Sequence, residues 1–479
     1  MQHRHLLYGL VPALFLSACV PMIDKQAPMA ASDITRELNQ SVPVSARSDA
    51  RMAVDWWKAY GDAQLDALVE KALAGSPAIQ SIEARYAQAN GVVEAARAGN
   101  TPHLSVGAAV SRERYSANYI FPAPLGGGTY SLYQTGALLD YTFDFWDERA
   151  SRIRSAAYGA LAQKAAADAA RLALAGGICA LYLSWHYDEE RLQLLDASEN
   201  AMAEERNILE RKWKQGLIDA TPLYAKTAEL SAVMQEKAAV KRAIEGKKEG
   251  IAILGGFLPS YMETLAAPKI RDGVEVPLPK EVCLDLVAHR ADVAVRKYIV
   301  LSNSQKIENA KAQFYPNISL SGLIAFTSFD FDKLFARSSY APVGTAAFSL
   351  PLLDGGARKA NLQISVSDYN ASVQEYNDAI VKAANEVVGV LKRSTFIASQ
   401  MALHEGDMDA RHRNEALALK RFGGGLTDKL PYLEAQEERR RGELGKIALQ
   451  EQKASLQIEL IEALGGGFSD ENGRTDADD

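Results

Sequence analysis

A pattern that occurs twice constrains the fold of this chain more than any other feature. Residues 212–223 and 421–432 both place an aromatic after a basic residue, followed in the same order by Gly-Leu, Asp and Pro. Each copy interrupts a long proline-free segment rich in helix-forming residues. A glycine just past a helix end accepts the left-handed conformation, and a proline soon afterwards suits the first turn of the next helix. The sequence therefore predicts two helical hairpins, one turning at each copy, and an internal duplication.

Strict alternation of side chains predicts strands between the helices. From His103 to Ser111 apolar residues alternate with small or polar ones, and a second strand is expected through Leu139, Tyr141, Phe143 and Phe145. Two further strands are expected in the second half, through 318–326 and 348–350. The pattern fits a membrane barrel with a polar lumen, and it equally fits a soluble hairpin with one buried face.

The N-terminus predicts export from the cytoplasm. A short basic start precedes an apolar run, Leu6–Leu16, that is too short to span a bilayer and is typical of a signal peptide. Leu16-Ser17-Ala18-Cys19 resembles the lipobox of bacterial lipoproteins, which implies acylation at Cys19; the alternative is an ordinary signal peptide with a chance cysteine. By resemblance to lipoprotein sorting, Val20 after the cysteine favours the outer membrane.

Charge and motif content exclude several classes of function. The formal net charge is −7, so no nucleic-acid partner is expected. The 7 histidines are scattered, and neither a carboxylate–histidine motif nor a phosphate loop occurs. We therefore expect no enzyme, no cofactor and no metal site.

The order helix, strand, strand, long helix, turn, helix closely resembles the outer-membrane efflux proteins, the TolC-like family, and within it the lipoprotein (NodT- or OprM-like) branch. The opening Asp55-Trp56-Trp57, the segment 312–320 with its Phe-Tyr-Pro-Asn core, the segment 350–356 and the two turns carry the resemblance. Two departures are Ala291, where the branch usually has proline, and the triple glycine 423–425, which makes the second turn unusually flexible.

The resemblance implies an α+β membrane protein: a long α-helical coiled-coil barrel joined to a transmembrane β-barrel of four strands per protomer, as a homotrimer. Four strands are too few to close a barrel, and open edges cannot sit in lipid, so several copies are needed. The number three comes from the family. The implied location is the outer membrane of a Gram-negative bacterium, with a lipid anchor and a periplasmic extension.

The implied function is the channel component of a tripartite efflux pump, a passive duct for small molecules. Its implied partners are a periplasmic adaptor (membrane fusion protein), an inner-membrane RND-type pump and outer-membrane lipid. The alternatives are a duct for type I protein secretion and a structural coiled-coil lipoprotein without a channel.

The expected divisions are as follows: signal peptide 1–18, lipidated tether 19–53, equatorial helices 54–102, first β-hairpin 103–146, first helical hairpin 147–254, linker and equatorial helices 255–316, second β-hairpin 317–352, second helical hairpin 353–464 and acidic disordered tail 465–479.

The resemblance assigns the functional residues to the two turns. The expected adaptor contacts are Trp213, Gly216, Leu217, Phe422, Gly425 and Leu426. In a trimer Asp219 and Asp428 would each recur three times, and up to six carboxylates could form a gate or cation-selective ring. An aspartate just past a helix-breaking glycine is also a common helix cap, and the two roles can coexist.

Overall fold

The computed structural model of this chain describes residues 24–28, 53–270 and 290–468. The signal peptide, Cys19 and the tail from residue 469 lie outside these residues. The described chain forms two compact units. We call them the sheet unit (24–28, 87–162 and 296–375) and the hairpin unit (53–86, 163–270, 290–295 and 376–468).

Long helices and one sheet make up most of the described residues. The helices are α1 (Ala63–Gly75), α2 (Pro77–Ala98), α3 (Glu148–Lys214), α4 (Thr221–Gly255), α5 (Ala291–Ala312), α6 (Ala357–Gly423) and α7 (Leu430–Ala463). The strands are β1 (His103–Arg114), β2 (Thr129–Phe143), β3 (Asn317–Ser328) and β4 (Tyr340–Ser349). The order helix, two strands, long helix and returning helix therefore occurs twice.

The sheet is antiparallel with the order β1-β2-β3-β4. Its register places Leu104 opposite Leu139, and Leu139 opposite Gly322. Because successive side chains point to opposite faces, most of the large apolar side chains share one face: Leu104, Val106, Val110, Tyr133, Leu139, Tyr141, Phe143, Ile318, Leu320, Ile324, Phe326, Tyr340 and Phe348.

The opposite face is mainly small and polar. It carries Ser105, Gly107, Ser111, Gln134, Asp140, Ser321, Thr327 and Thr345, with Leu132, Leu138, Leu323 and Val343 as its larger apolar members. The apolar face is exposed in the single chain, and Val106 is 78% accessible. No other described strand pairs with the outer edges of β1 and β4.

The prediction that the second strand continues through Phe145 is wrong. β2 ends at Phe143, because the chain turns there into α3. The Asp144 carboxylate accepts hydrogen bonds from the backbone N–H groups of Arg149 (3.0 Å) and Ala150 (2.7 Å) and so caps the helix. Asp147, in the left-handed region with φ 58°, completes the turn.

Residues 24–28 contact α5 and α6 in the sheet unit. Lys25 Nζ lies 3.1 Å from the Glu308 carboxylate on α5. The backbone N–H of Gln26 donates to Asn370 Oδ1 on α6 at 2.9 Å, and Gln374 Nε2 donates to Gln26 Oε1 at 2.6 Å. This short segment is therefore fixed to two helices by side-chain contacts.

Two apolar clusters hold the hairpin unit together. In the first, Trp56 and Trp57 pack with Tyr182 and Trp185 of α3. In the second, α6 meets α7 through residues that include Ile380, Val387, Leu456 and Leu460. The sequence places these residues of α6 at heptad spacing, which is typical of helices packed side by side.

Among the described residues, one helix, α3, is long and apolar enough by length and composition to cross a membrane. Within the protein, 44% of the most apolar 18-residue segment of α3 is buried. Ile178 and Tyr182 in this stretch are fully buried in the first cluster, as in the core helix of a folded domain.

At Ala291, where the resembling branch usually has proline, α5 begins without one. The side chain of Arg290 donates to Asp292 and to Glu386 (2.7 Å), and also to the backbone carbonyl of Ala463. These contacts fasten the start of the helix to α6 and α7.

Candidate functional site at the two helical tips

The first tip, residues 212–223, is a glycine-terminated helix end. The N–H of Leu217 donates to Lys212 O and the N–H of Gly216 to Trp213 O, both at 2.9 Å. This is the Schellman pattern, in which a left-handed residue satisfies the last carbonyls of a helix. Gly216 supplies that residue, with φ 70°.

The second tip, residues 421–432, has the same backbone geometry. Leu426 N–H donates to Arg421 O at 2.9 Å, and Gly425 N–H to Phe422 O at 3.0 Å. Gly425 has φ 69°. The two turns therefore use the same hydrogen bonds at matching sequence positions, and both leave a leucine in solvent: Leu217 is 68% exposed and Leu426 78%.

Both aspartates bond to the start of the returning helix. Asp219 Oδ1 accepts from the Thr221 N–H at 2.8 Å, and Asp428 Oδ1 accepts from the Leu430 N–H at 3.2 Å. Each carboxylate thus satisfies a backbone donor that has no partner within its helix. Each aspartate directly precedes the N-cap residue of its helix, Ala220 or Lys429, and bonds to the first helical residue, while the N-cap residue itself makes no side-chain cap hydrogen bond.

Two ion pairs fasten the second tip to α3. Lys212 of the first tip binds Asp428, and Lys429 binds Glu204. The hydrogen bond from Lys212 lowers the pKa of Asp428 below its ordinary value. In the described part of the chain Asp219 forms no such ion pair.

The aromatic residues of the tips differ as well. Phe422 stacks on Tyr432 across the second tip, with ring centroids 6.3 Å apart and planes at 1°. In the first tip Trp213 is 41% exposed, and Leu223 occupies the position that matches Tyr432.

A buried ion pair lies further along the first hairpin. Glu205 of α3 is fully buried, and its carboxylate is 2.8 Å from Lys226 Nζ of α4. Burial raises the pKa of Glu205 despite the lysine. The pair joins the outgoing and returning helices behind the first tip.

The sequence placed all eight tip residues at two turns, and the structure brings the two turns into contact through Lys212 and Asp428. Sequence reasoning missed the roles of Lys212, Lys429 and Tyr432. Both copies have a basic residue before the aromatic, but local spacing in the sequence does not predict which residue of the other hairpin it pairs with. Across residues 24–28, 53–270 and 290–468, no cluster of three or more His, Cys, Asp or Glu side chains could hold a metal.

Comparison with known proteins supplies the family. The model of the family described as "Outer membrane efflux protein" matches residues 68–254 and 285–466. The chain belongs to the outer membrane efflux protein family.

Relatives in this family are similar over most of their length. The multidrug resistance outer membrane protein MdtP of Escherichia coli K12 is 26% identical over 424 residues, which is 86% of each chain. MdtQ of Escherichia coli O6:H1, named in the same way, is 26% identical over 468 residues, 95% of this chain and 96% of its own.

Solved structures of outer-membrane channels share the fold. VceC of Vibrio cholerae aligns with a TM-score of 0.79 at 27% identity, over 87% of this chain and 100% of VceC. The CmeC channel of Campylobacter jejuni aligns with a TM-score of 0.80 at 19% identity, over 94% of both chains. The mostly helical α+β fold with a small antiparallel sheet is therefore the fold of this family.

Proposed function

We propose that this protein is the outer-membrane channel of a tripartite efflux pump, a passive duct that carries small molecules from the periplasmic side to the exterior. Membership of the efflux family supports this function, as do the names of the two multidrug resistance relatives. A periplasmic adaptor and an inner-membrane RND-type pump would supply the remaining components and the energy.

The two-faced sheet is the observation that carries the proposal. One face is apolar and exposed, the other is mainly small and polar, and both outer edges are free in the described chain. Lipid tolerates no unpaired backbone edge, so a sheet of this kind enters a membrane only as part of a closed barrel. Three copies would combine their strands into one closed barrel, with the polar faces of the sheets lining the lumen.

The tips form the periplasmic mouth in this proposal. Their exposed leucines, Leu217 and Leu426, offer the adaptor an apolar contact next to a rigid turn. Asp219 and Asp428 bond to the first residues of the returning helices. Repeated around a threefold axis, they would add a cation-attracting ring. The two halves of the chain would descend from one duplicated hairpin, so the mouth is built from six similar tips.

Lipid attachment at Cys19 completes the proposal. From Cys19 to Asp24 the chain can span at most about 18 Å, and residues 24–28 are fastened to α5 and α6 of the sheet unit. An acyl chain on Cys19 would therefore meet the membrane beside the barrel. Cys19→Ser should abolish incorporation of a palmitate analogue; incorporation into the Ser variant would refute acylation at this cysteine.

The two faces of the sheet allow a sharp test of the channel. Val106→Lys puts a charge on the apolar face, at a cost of up to about 2–4 kcal/mol if that face meets lipid. Ser105→Lys puts the same charge one residue away on the polar face. In the producing bacterium we expect Val106→Lys to abolish outer-membrane trimers and restore ethidium accumulation, whereas Ser105→Lys keeps trimers and efflux.

If Val106→Lys and Ser105→Lys change trimer formation and ethidium accumulation equally, the sheet does not form a membrane barrel. If the wild-type protein forms trimers that export a protein and no small molecule, its function is protein secretion and not efflux.

A further inference from the structure

Aromatic side chains gather at the loop end of the sheet, opposite the end at which α2 and α3 meet it. The Tyr115 ring lies 4.9 Å from Phe121, 6.2 Å from Tyr130 and 6.0 Å from Phe329, measured between centroids. Tyr130 and Phe329 are 5.3 Å apart. We call these four residues the exit cluster. It joins the loop after β1 to the loop after β3.

Three members of the exit cluster, Tyr115, Tyr130 and Phe329, lie on the polar face. Glu113 pairs with Tyr130, and the ladder continues to Tyr115, whose N–H donates to Gly128 O at 3.0 Å. Since alternate residues share a face, Tyr115 and Tyr130 lie on the side of Ser105 and Ser111. Phe329 comes two residues after Thr327, which has the same orientation.

The position of the cluster is unusual for this face. Further along this face β1 carries the small residues Ser105, Gly107 and Ala109, and a Cβ atom added at Gly107 would meet nothing within 4 Å. Large rings appear together at the loop end. In a closed barrel they would narrow the lumen at its outer opening.

A carboxylate lies beside the rings. Glu113 is exposed on the same face, directly opposite Tyr130, and accepts a hydrogen bond from Ser111 Oγ at 2.9 Å. Its basic neighbours in sequence, Arg112 and Arg114, fall on the other face. The polar face therefore combines aromatic surfaces with negative charge, a combination that attracts cations carrying flat rings.

We propose that the exit cluster and Glu113 form a weak binding site for planar aromatic cations at the outer opening of the duct. This inference rests on the proposed channel function and on its polar lumen. A departing cation stacks on the rings, with its charge near Glu113, before it leaves. Three copies would surround the opening, so the site both narrows the pore and selects among cargo molecules.

Block of single channels tests the site. The full-length protein in planar bilayers is exposed to ethidium, a planar aromatic cation, or to Mg²⁺, a cation without rings that keeps its hydration water. We expect Tyr115→Leu and Phe329→Leu to weaken block by ethidium by about fivefold, the size of one exposed cation–π contact, and to leave block by Mg²⁺ unaffected. Tyr115→Phe keeps the ring and should behave as wild type.

A matched aromatic pair serves as the control. Phe331 and Tyr133 lie 5.5 Å apart at the same end of the sheet, and Tyr133 is on the apolar face. Phe331→Leu should leave block by ethidium unchanged, while Glu113→Gln should weaken block by both cations.

The outcomes separate this inference from the channel itself. A wild-type protein that forms no channel overturns both. A conducting wild type whose ethidium block is the same in Tyr115→Leu and Phe329→Leu overturns the exit cluster alone. An equal loss in Phe331→Leu also overturns it, because loop packing would then explain the effect.

Discussion

The two helical tips have nearly the same backbone and different attachments. Gly216 and Gly425 make the same Schellman turn, and Asp219 and Asp428 each accept a hydrogen bond from the first residue of the helix that follows. The second tip is also fastened to α3 by the Lys212–Asp428 and Lys429–Glu204 ion pairs. Local sequence determines the turn, whereas the ion pairs of each tip depend on which hairpin packs beside it.

The two aspartates therefore differ in how much negative charge they leave uncompensated. The carboxylate of Asp428 is compensated by a lysine, whereas Asp219 has only its backbone donor among the described residues. In a trimer the first tip would therefore contribute more of the uncompensated negative charge at the mouth. The second tip would contribute more of the contact that holds adjacent hairpins together.

The largest effect is expected from the turn glycines. A side chain in the left-handed region costs about 1–2 kcal/mol, so Gly216→Val should lower the melting temperature of the solubilised protein and abolish export. Gly425→Val should be milder, since Gly424 is adjacent and can take over the left-handed position. Thermal melts and ethidium accumulation in cells measure the two effects.

Gln215→Val is the matched control, because Gln215 precedes the turn and is not in the left-handed region. Equal losses for Gly216→Val and Gly425→Val would show that the triple glycine confers no tolerance. Export at the wild-type level in both Gly216→Val and Gly425→Val would show that the tips do not dock the adaptor.

An intermediate effect is expected from the aspartates, and two substitutions separate charge from capping. Asp→Ala removes both and should cost about 1 kcal/mol per tip; Asp→Asn keeps a capping oxygen and removes the charge. The double Ala variant should raise conductance or alter cation preference in planar bilayers. Asp219→Asn should reduce cation preference more than Asp428→Asn, because Lys212 already compensates Asp428.

Wild-type selectivity and conductance in all of these variants would leave the aspartates with capping alone. A larger effect of Asp428→Asn would reverse the comparison between the tips.

The smallest effect is expected from the ion pair between the tips. Lys212→Met should cost about 0.5 kcal/mol, as for a partly exposed pair. Because the pKa of Asp428 is lowered from 3.8 in the folded state, the contribution is complete above pH 3.8 and is lost as pH falls through the folded pKa. The stability difference between wild type and Lys212→Met should therefore be constant from pH 7 to 5 and vanish in strong acid.

Lys214→Met provides the control, since Lys214 pairs with Glu210 one turn away on its own helix. A difference between wild type and Lys212→Met that changes near neutral pH would mean that Asp428 is not the group responsible.

Local signals made much of this fold predictable. Pro77 begins α2 and Gly216 ends the turn after α3, because helix starts and stops depend on residues a few positions apart. The strand limits were harder. The sequence predicts the second strand only from Leu139, yet β2 begins at Thr129. From Thr129 to Leu138 the alternation of side chains is weak, and pairing with β1 determines the strand.

The contacts at the candidate site were predictable only in part. The turn glycines and the capping aspartates follow from spacing along the chain. The partners of Lys212 and Lys429 lie on the other hairpin, so their pairing depends on how two hairpins pack and on no local pattern.

The free edges of β1 and β4 have a consequence for synthesis. A newly exported copy carries two unpaired edges and an exposed apolar face, the features by which proteins aggregate. If the protein forms the proposed trimer, such a copy survives only when it meets its partner copies or a chaperone before it meets unrelated chains. Its yield in the cell should therefore depend on concentration, and overproduction should fill the periplasm with misassembled protein before it adds pores to the membrane.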